Sequence, residues 1–397
     1  MSVRITDLLL LLAAAQGLFL TVLIFHKHRG LFANRFVGAL TLLYSLILLH
    51  LLFGDLGYSQ AYPRITLMII GLALGIPPLH YLYAKHLVHN TAKPRMLDWL
   101  HALPFALYQA VQLPKVFASR ENMFALTDSP TAPQTPLELA LYNWVILLQG
   151  LTYMVLTLGI LRQYARDLKE VFSNIDRIKL DWLSNITYMA IIAYGVFGVE
   201  NVFLLFGVKL SYNFSLSSAL VAVYVYALGY LGMFKSEVFS TPEIAASISL
   251  LPEFSQPHRT GSEALPAQPR KYEKSGLSEA KAGEYLNLLL SLMDQKHPYT
   301  NSDLTLNELA EMLVISAHNL SEVLNTQLQQ NFFDFVNSYR LEKVKKDLAD
   351  PTKRELKLLA IAFEAGFNSK SSFNTIFKKE TNLTPSEYRL RVLQNPR

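Results

Sequence analysis

Seven apolar stretches in the first 236 residues constrain the fold of this chain more than any other feature of its sequence. A helix of about 20 apolar residues, rising 1.5 Å per residue, is long enough to cross a hydrocarbon core of about 30 Å. The stretches lie near residues 7–25, 36–54, 65–84, 97–113, 138–161, 185–207 and 214–234. The fourth is the most polar and contains Pro104, which we expect to kink it. The pattern predicts a bundle of seven transmembrane helices over residues 1–236.

The basic residues between these stretches predict the orientation of the bundle, because cytoplasmic loops carry an excess of Lys and Arg. The first, third and fifth loops hold 11 basic residues, namely Lys27, Arg29, Arg35, Lys85, Lys93, Arg95, Arg162, Arg166, Lys169, Arg177 and Lys179. The opposite side holds five, namely Arg4, Arg64, Lys115, Arg120 and Lys209. This asymmetry predicts an N-terminus outside the cell and, after seven crossings, a cytoplasmic C-terminus.

Two adjacent polar residues, Glu200 and Asn201, lie inside the sixth stretch. A carboxylate at that depth is costly unless it is paired, protonated or facing a cavity. The two residues are therefore a candidate site for a signal ligand or an ion. Hydrogen bonding between helices, or a position at the membrane interface, is the alternative explanation.

The sequence offers little for metal binding or covalent chemistry. The chain has no cysteine, which excludes disulfides, thiolate nucleophiles and every zinc module that needs cysteine. Four histidines gather around the third and fourth stretches, namely His80, His86, His89 and His101. Their spacing is loose and basic residues surround them, which favours interfacial side chains over metal ligands. We expect no metal site and no cofactor.

The apolar pattern lapses over residues 237–275, where five prolines stand among Ser, Gln and Glu. This composition is typical of a flexible linker. The next segment, residues 277–293, is helical in pattern and has an apolar face. That face can pack on the domain that follows or form a dimer contact, and the sequence leaves both alternatives open.

Residues 305–327 have the pattern of a helix-turn-helix. Thr305 and Glu308 have the spacing of a capping box, which begins one helix, and Ser316 can cap a second. Apolar residues follow each cap at helical spacing. Ala310 is small, as the close approach of two such helices requires.

The same construction recurs over residues 356–379, where Gly366 supplies the turn and Ser369 caps the second helix. A helix over 332–349 is predicted to connect the two copies. Further on, Thr384 and Glu387 have the spacing of another capping box, with a proline at the first helical position. Residues 276–397 are therefore predicted to form a tandem helix-turn-helix domain, which makes the whole chain all-α.

Four motifs within residues 305–391 are specific enough to indicate a family. They are Ile361-Ala362-Phe363-Glu364-Ala365-Gly366-Phe367, Ser369-Lys370-Ser371-Ser372-Phe373, Phe377-Lys378-Lys379 and Thr384-Pro385-Ser386-Glu387-Tyr388-Arg389. This region, under a quarter of the chain, resembles the DNA-binding domain of the AraC/XylS family of bacterial regulators. The resemblance implies two recognition helices that enter successive major grooves on one face of the DNA, joined by a rigid central helix. It also implies a bacterial protein, in which the predicted multi-pass bundle would lie in the inner (cytoplasmic) membrane.

The polar residues of the two recognition helices are the candidate DNA contacts. In the second helix they are Lys370, Ser371, Ser372, Asn374, Thr375 and Lys378, a mixture suited to phosphate contacts and base-edge hydrogen bonds. In the first they are His318, Asn319, Ser321, Glu322 and Asn325, and we expect all of these except Ser321 on the exposed face. Glu322 departs from the family pattern, because many relatives carry Arg there. A carboxylate repels phosphate, but it can accept a hydrogen bond from a cytosine amino group.

Charge is distributed unevenly over the predicted domain. From Arg340 to the end, 13 Lys and Arg stand against 7 Asp and Glu, whereas residues 272–339 are net acidic. The basic footprint expected of a DNA-binding surface therefore belongs to the second half. For Lys343, Lys345 and Lys346, a solvated helix face and a DNA contact are both open.

These features favour a membrane-bound, sequence-specific DNA-binding transcriptional regulator that is not an enzyme. As a one-component sensor, it would couple a signal outside or within the membrane to promoter binding through the bundle or its oligomeric state. The expected partners are double-stranded DNA, the lipid bilayer and an unknown signal ligand, and a homodimer is left open. The alternative is a membrane enzyme or transporter with a degenerate helix-turn-helix used for protein contact. The sequence shows no phosphate-binding glycine loop, Ser-His-Asp arrangement or His-Glu-x-x-His motif for such an enzyme.

Overall fold

The structure is a computed structural model, and it describes residues 5–27, 32–55, 61–89, 91, 93–118, 136–206, 216–234 and 277–394. The linker predicted over 237–275 lies outside these residues, as do four of the loop residues used to predict orientation, namely Arg4, Arg29, Arg120 and Lys209. The described ranges contain helices and no β-strand, which confirms the all-α prediction. The chain divides into two compact units. One unit contains residues 1–163 and 180–248, and the other contains residues 164–179 and 249–397.

The helices of the N-terminal half are long and apolar. They are α1 (Ile5–Lys27), α2 (Asn34–Asp55), α3 (Pro63–Gly71), α4 (Ile76–Val88), α5 (Leu103–Phe117), α6 (Pro136–Val171), α7 (Asp181–Leu205) and α8 (Leu216–Phe234). A 3-10 turn over Leu72–Gly75 joins α3 to α4, and another over Met96–Ala102 precedes α5. The last turns of α6, from residue 164 onward, belong to the second unit.

Five segments in the described ranges are long and apolar enough to cross a membrane: Asp7–His26, Asn34–Phe53, Pro63–Val88, Leu137–Val171 and Asp181–Leu205. The seventh predicted stretch contributes a shorter apolar helical segment, Leu216–Leu228. The fourth forms a 3-10 turn followed by the 15-residue α5. Pro104 lies in the first turn of α5, where its missing amide hydrogen costs nothing, rather than within a continuous helix. Seven crossings therefore remain a prediction.

Two groups of polar side chains inside the first unit form hydrogen bonds between neighbouring helices. The hydroxyls of Thr21 in α1 and Thr41 in α2 lie 2.9 Å apart. His80 in α4 is buried, with its Nδ1 2.9 Å from the Tyr224 hydroxyl and its Nε2 3.0 Å from Thr187 Oγ1. These bonds join α4 to α8 and α7, and in apolar surroundings they favour one register of packing. No group of three or more potential metal ligands occurs among the described residues.

The second unit contains the C-terminal helices α9 (Glu279–Lys296), α10 (Leu306–Leu313), α11 (Ala317–Gln327), α12 (Phe332–Ala349), α13 (Leu358–Glu364), α14 (Lys370–Thr381) and α15 (Pro385–Gln394). They enclose two hydrophobic cores, and α12 belongs to both. Its first half contributes Phe335 and Val336 to the core around α10 and α11. Its second half contributes Val344 and Leu348 to the core around α13 and α14. A single helix thus fixes the two helix-turn-helix motifs relative to each other.

Helix α9 packs on the first of these cores. Leu289, Leu292 and Met293 are buried there. The apolar face predicted over 277–293 therefore packs on the domain that follows it, which was one of the two alternatives.

Candidate nucleic-acid interface

Side-chain caps position the first helix-turn-helix. Thr305 Oγ1 accepts a hydrogen bond from the Glu308 amide at 3.2 Å, and Glu308 Oε2 accepts one from the Thr305 amide at 2.8 Å. Ser316 Oγ accepts from the Asn319 amide at 3.1 Å and begins α11. Between the helices, Val314 has φ = 56° and is 91% exposed. A β-branched residue is strained in this left-handed conformation.

The turn of the second helix-turn-helix requires glycine. Gly366 has φ = 101°, and a Cβ atom there would lie 2.3 Å from the Tyr299 carbonyl oxygen. The turn can therefore approach the backbone before α10 only without a side chain. Ser369 Oγ then accepts from the Ser372 amide at 3.0 Å and begins α14.

Helix α14 turns its aromatic residues inward and its polar residues outward. Phe373 and Phe377 are buried in the second core. Five of the six candidate DNA contacts in this helix are exposed, namely Lys370, Ser371, Asn374, Thr375 and Lys378, and Ser372 is half-buried. The exposed face combines two cations for phosphate with an amide and hydroxyls for base edges.

Helix α11 exposes fewer of its candidate DNA contacts than the sequence predicts. His318 is exposed, Asn319 and Asn325 are half-buried, and Ser321 and Glu322 are buried. The expected exposure of Glu322, which is 6% exposed, was wrong, because its helix face is turned toward protein. Asn325, which lies on the same side of α11, donates a hydrogen bond to Glu170 Oε2 at 3.1 Å. In the described conformation, protein covers Ser321 and Glu322 fully and Asn325 in part.

Glu170 belongs to the docked segment, by which we mean residues 164–179. This segment contains the end of α6 and the chain that leads to α7, and it forms one compact unit with the C-terminal helices. None of the candidate site residues predicted from the sequence lies in the docked segment. The sequence showed these residues only as a basic loop between two apolar stretches, and nothing in their pattern indicated a partner.

A buried arginine links the docked segment to the stretch of chain between α9 and α10. Arg340 in α12 is 1% exposed. It donates to the carbonyl oxygens of Asn301 at 2.7 Å, Tyr299 at 2.8 Å and Ser173 at 3.0 Å. Burial lowers the pKa of its guanidinium to about 10, so it remains a cation at neutral pH.

The prediction that Arg340 belongs to the basic DNA-binding surface was also wrong, because its side chain is buried. It lies between Val336 and Val344 at the helical spacing of the buried face of α12, so it cannot contribute charge to the surface. That position within an apolar stripe was the one signal that it is internal. A charged residue there needs hydrogen-bond partners, and the backbone carbonyls supply them.

Three lysines of α12 and of the turn that follows it form ion pairs within the protein. Lys343 lies 3.1 Å from Asp347, and Lys345 lies 2.7 Å from Glu342. Lys353 donates to Asp347 at 2.7 Å, and this hydrogen bond raises the pKa of Lys353 above its ordinary value. For Lys343 and Lys345, these contacts fit a solvated helix face rather than a DNA contact, and for Lys346 both alternatives stay open.

The two polar residues of the sixth stretch lie in hydrogen bonds between helices. Glu200 in α7 accepts from the Ser217 amide at 3.2 Å and from the Ser217 hydroxyl at 2.6 Å, which joins α7 to α8. Asn201 accepts from Asn143 Nδ2 at 2.8 Å, which joins α7 to α6. Helix-helix bonding, the alternative explanation for these residues, accounts for both side chains.

The N-terminal half also contains an apolar cavity of about 540 Å³. Phe36, Trp99 and Phe105 line it, with Arg35 and Asp98 among its polar residues. The Asp98 carboxylate is held by Lys85 at 2.6 Å and by His86 at 3.0 Å.

Comparison with known proteins supports the C-terminal assignment. Residues 309–391 match a family described as a helix-turn-helix domain. Over 89 residues the chain is 37% identical to an uncharacterised HTH-type transcriptional regulator of Staphylococcus aureus strain COL, covering 22% of this chain and 12% of that protein. Over 106 residues it is 28% identical to the uncharacterised HTH-type transcriptional regulator YtdP of Bacillus subtilis strain 168, covering 27% and 13%.

The chain thus spans only 12% to 13% of the length of these curated relatives. No solved structure matches it. The resemblance to the AraC/XylS family is confirmed for the matched region. Residues 309–391 form an AraC-type helix-turn-helix domain, carried by a chain whose N-terminal half is helical and apolar.

Proposed function

We propose that this protein is a membrane-anchored transcription regulator that binds double-stranded DNA through α11 and α14. The observation that carries the proposal is the tandem helix-turn-helix with an exposed, polar and cationic face on α14. The fixed connection through α12 suits two recognition helices that read successive major grooves. The HTH-type transcriptional regulators that share this domain support the same function.

Membrane anchoring is supported by the surface of the N-terminal half. Helix α1 exposes large apolar side chains along its length, including Leu12, Phe19 and Val22 at 56%, 59% and 68%. Apolar patches of this extent belong against lipid or another protein. We propose a multi-pass protein of the bacterial inner membrane with its N-terminus outside and its C-terminus in the cytoplasm.

Single cysteines test this orientation, because the chain has none of its own. Phe117→Cys, at an exposed position near the end of α5, should react with a membrane-impermeant maleimide in intact spheroplasts. Arg177→Cys should react only after permeabilisation. The reverse pattern would overturn the orientation.

Capture of genomic DNA tests the function as a DNA reader. The full chain in detergent micelles is mixed with sheared genomic DNA at moderate salt, and the retained DNA is sequenced. One enriched motif with two half-sites about one helical turn, or roughly 10 base pairs, apart is expected. Asn374→Ala with Thr375→Ala should lose the motif, whereas Lys345→Ala, at an ion-paired position on α12, should keep it. Sequence-independent retention by the folded chain would refute the proposal.

The sensor role is a further part of the proposal. A signal that reaches the apolar half would change the helices, and the DNA-binding domain would respond. Glu200 and Asn201 remain candidates for the signal site. Glu200→Gln should abolish the response of a reporter promoter while DNA binding persists, and an unchanged response would remove these residues from consideration.

A further inference from the structure

The docked segment is held on the DNA-binding domain by buried, directional contacts centred on Ser173. This serine is 1% exposed, and its carbonyl oxygen accepts from Arg340 at 3.0 Å and from Asn337 Nδ2 at 3.1 Å. Its hydroxyl accepts from Arg340 at 3.0 Å and donates to the Leu304 carbonyl at 2.7 Å. Buried hydrogen bonds of this kind fix one geometry, because leaving any partner unmade is costly.

Further contacts extend the attachment on either side of Ser173. Phe172 forms an isolated antiparallel bridge with Thr305, the residue that caps α10. The Lys169 ammonium lies 5.5 Å from the centre of the Phe333 ring. The backbone bridge and the cation–π contact thus add to the polar anchor.

The segment places a carboxylate on each helix-turn-helix. Glu170 Oε2 accepts from Asn325 in the first recognition helix at 3.1 Å. Asp176 Oδ2 accepts a hydrogen bond from Ser369, the residue that caps the second recognition helix. The N-terminus of a helix is where a DNA phosphate would bind most favourably. A carboxylate at either place occupies a donor that DNA would use.

We infer that the docked segment is an intramolecular ligand of the DNA-binding domain that must leave the first recognition helix before DNA binds there. This inference rests on the proposed DNA-binding function. In the described conformation Ser321 and Glu322 on α11 are buried, whereas the polar face of α14 is exposed. The segment connects α6 to α7, so a change in these two apolar helices reaches the recognition helices through it and does not need the linker over 237–275.

Reversible cross-linking of the full chain tests the inference, since the chain supplies a cysteine-free background. Glu170→Cys and Asn325→Cys are introduced together and joined with a short, reducible bis-methanethiosulfonate linker. The protein in detergent is then titrated with duplexes of random sequence about 40 base pairs long, or roughly four helical turns. The same sample is measured again after reduction. Both measurements then use the same substituted protein, so the comparison reports the effect of the link alone.

The cross-linked protein should bind at least about tenfold more weakly than the reduced protein, because a factor of ten corresponds to only about 1.4 kcal/mol and the link withholds a whole recognition helix and its phosphate contacts from the DNA. A matched control joins Glu342→Cys to Lys345→Cys, whose native side chains lie 2.7 Å apart on α12, and should bind equally in both states. Equal binding by the cross-linked and reduced Glu170–Asn325 pair would overturn the inference. Failure of the linker to form would also overturn it, because the two positions would not be in contact.

Failure of the proposed function gives a different result. In that case the unsubstituted chain, the reduced pair and the control pair would all fail to bind DNA, although linking proceeds. That result would refute both the proposed function and this inference. Binding by the reduced pair and by the control, without a change on linking, would leave the function intact and refute the docked segment alone.

Discussion

Replacing Arg340 with methionine should loosen the C-terminal domain and release the docked segment. The substitution keeps a long side chain but removes the donors to three backbone carbonyls, those of Tyr299, Asn301 and Ser173. Each lost hydrogen bond has a charged donor and contributes about 1.5 kcal/mol or more, although the Ser173 carbonyl keeps Asn337 Nδ2 and the Asn301 carbonyl keeps the Leu304 amide. The total loss of stability should be about 3–5 kcal/mol.

Hydrogen–deuterium exchange of the full chain in detergent measures this loss. Since about 1.4 kcal/mol corresponds to a factor of ten, amides in 164–179 and 298–306 should exchange about 100-fold to 3000-fold faster. Arg340→Lys keeps the charge but not the planar fork, so its effect should be smaller. Lys345→Met, on the solvated side of α12, should change exchange by less than about fivefold, because surface ion pairs contribute 1 kcal/mol at most. Less than a fivefold change in Arg340→Met would refute the role of this residue as the anchor.

Four further predictions concern the helix-turn-helix motifs. Lys370→Ala with Lys378→Ala should weaken binding to all DNA sequences and reduce the slope of log affinity against log salt by about 2, whereas an unchanged slope would exclude phosphate contact. Gly366→Ala should destabilise the domain by about 2–4 kcal/mol, because φ is 101° and a backbone oxygen lies 2.3 Å from the new Cβ; urea unfolding with unaltered midpoint would contradict this. Val314→Asn should stabilise the domain by about 1 kcal/mol, since asparagine tolerates the left-handed conformation, and slower exchange in α10 is the readout. Glu387 accepts a hydrogen bond from the backbone amide of its N-cap residue, which lowers its pKa, so it stabilises α15 above the ordinary pKa of about 4 and less as pH falls through the lowered value. Glu387→Gln should remove this acid-side loss, and an unchanged pH profile of exchange in α15 would contradict the role of the capping box.

Much of the C-terminal domain could be predicted because the sequence signals that define its helices are local. Capping side chains such as Thr305 and Ser369 act on amides two or three residues away, and apolar spacing identifies the buried face of each helix. The exposed face of α14 follows from the positions of Phe373 and Phe377 alone. The apolar stretches were equally readable, since length and composition are properties of the segment itself.

Two of the errors had different causes. Glu322 has the spacing of an exposed residue on an isolated α11, but in the folded protein the side chain is buried, and burial depends on tertiary packing. Pro104 was expected within a helix, but the chain forms a 3-10 turn before it, which is a local change of helix type.

The amino-acid sequence by itself determined the all-α class, the apolar helices of the first half and the AraC-type motifs of the second. Each depends on periodicity, caps or composition within a few turns of chain. Only the tertiary structure decided that Arg340 is an internal anchor, that Glu200 and Asn201 bond between helices, and that residues 164–179 pack against both recognition motifs. Such pairings depend on shape and on hydrogen-bond partners that lie between 17 and 167 residues away, and no short-range pattern encodes which partner a polar group will meet.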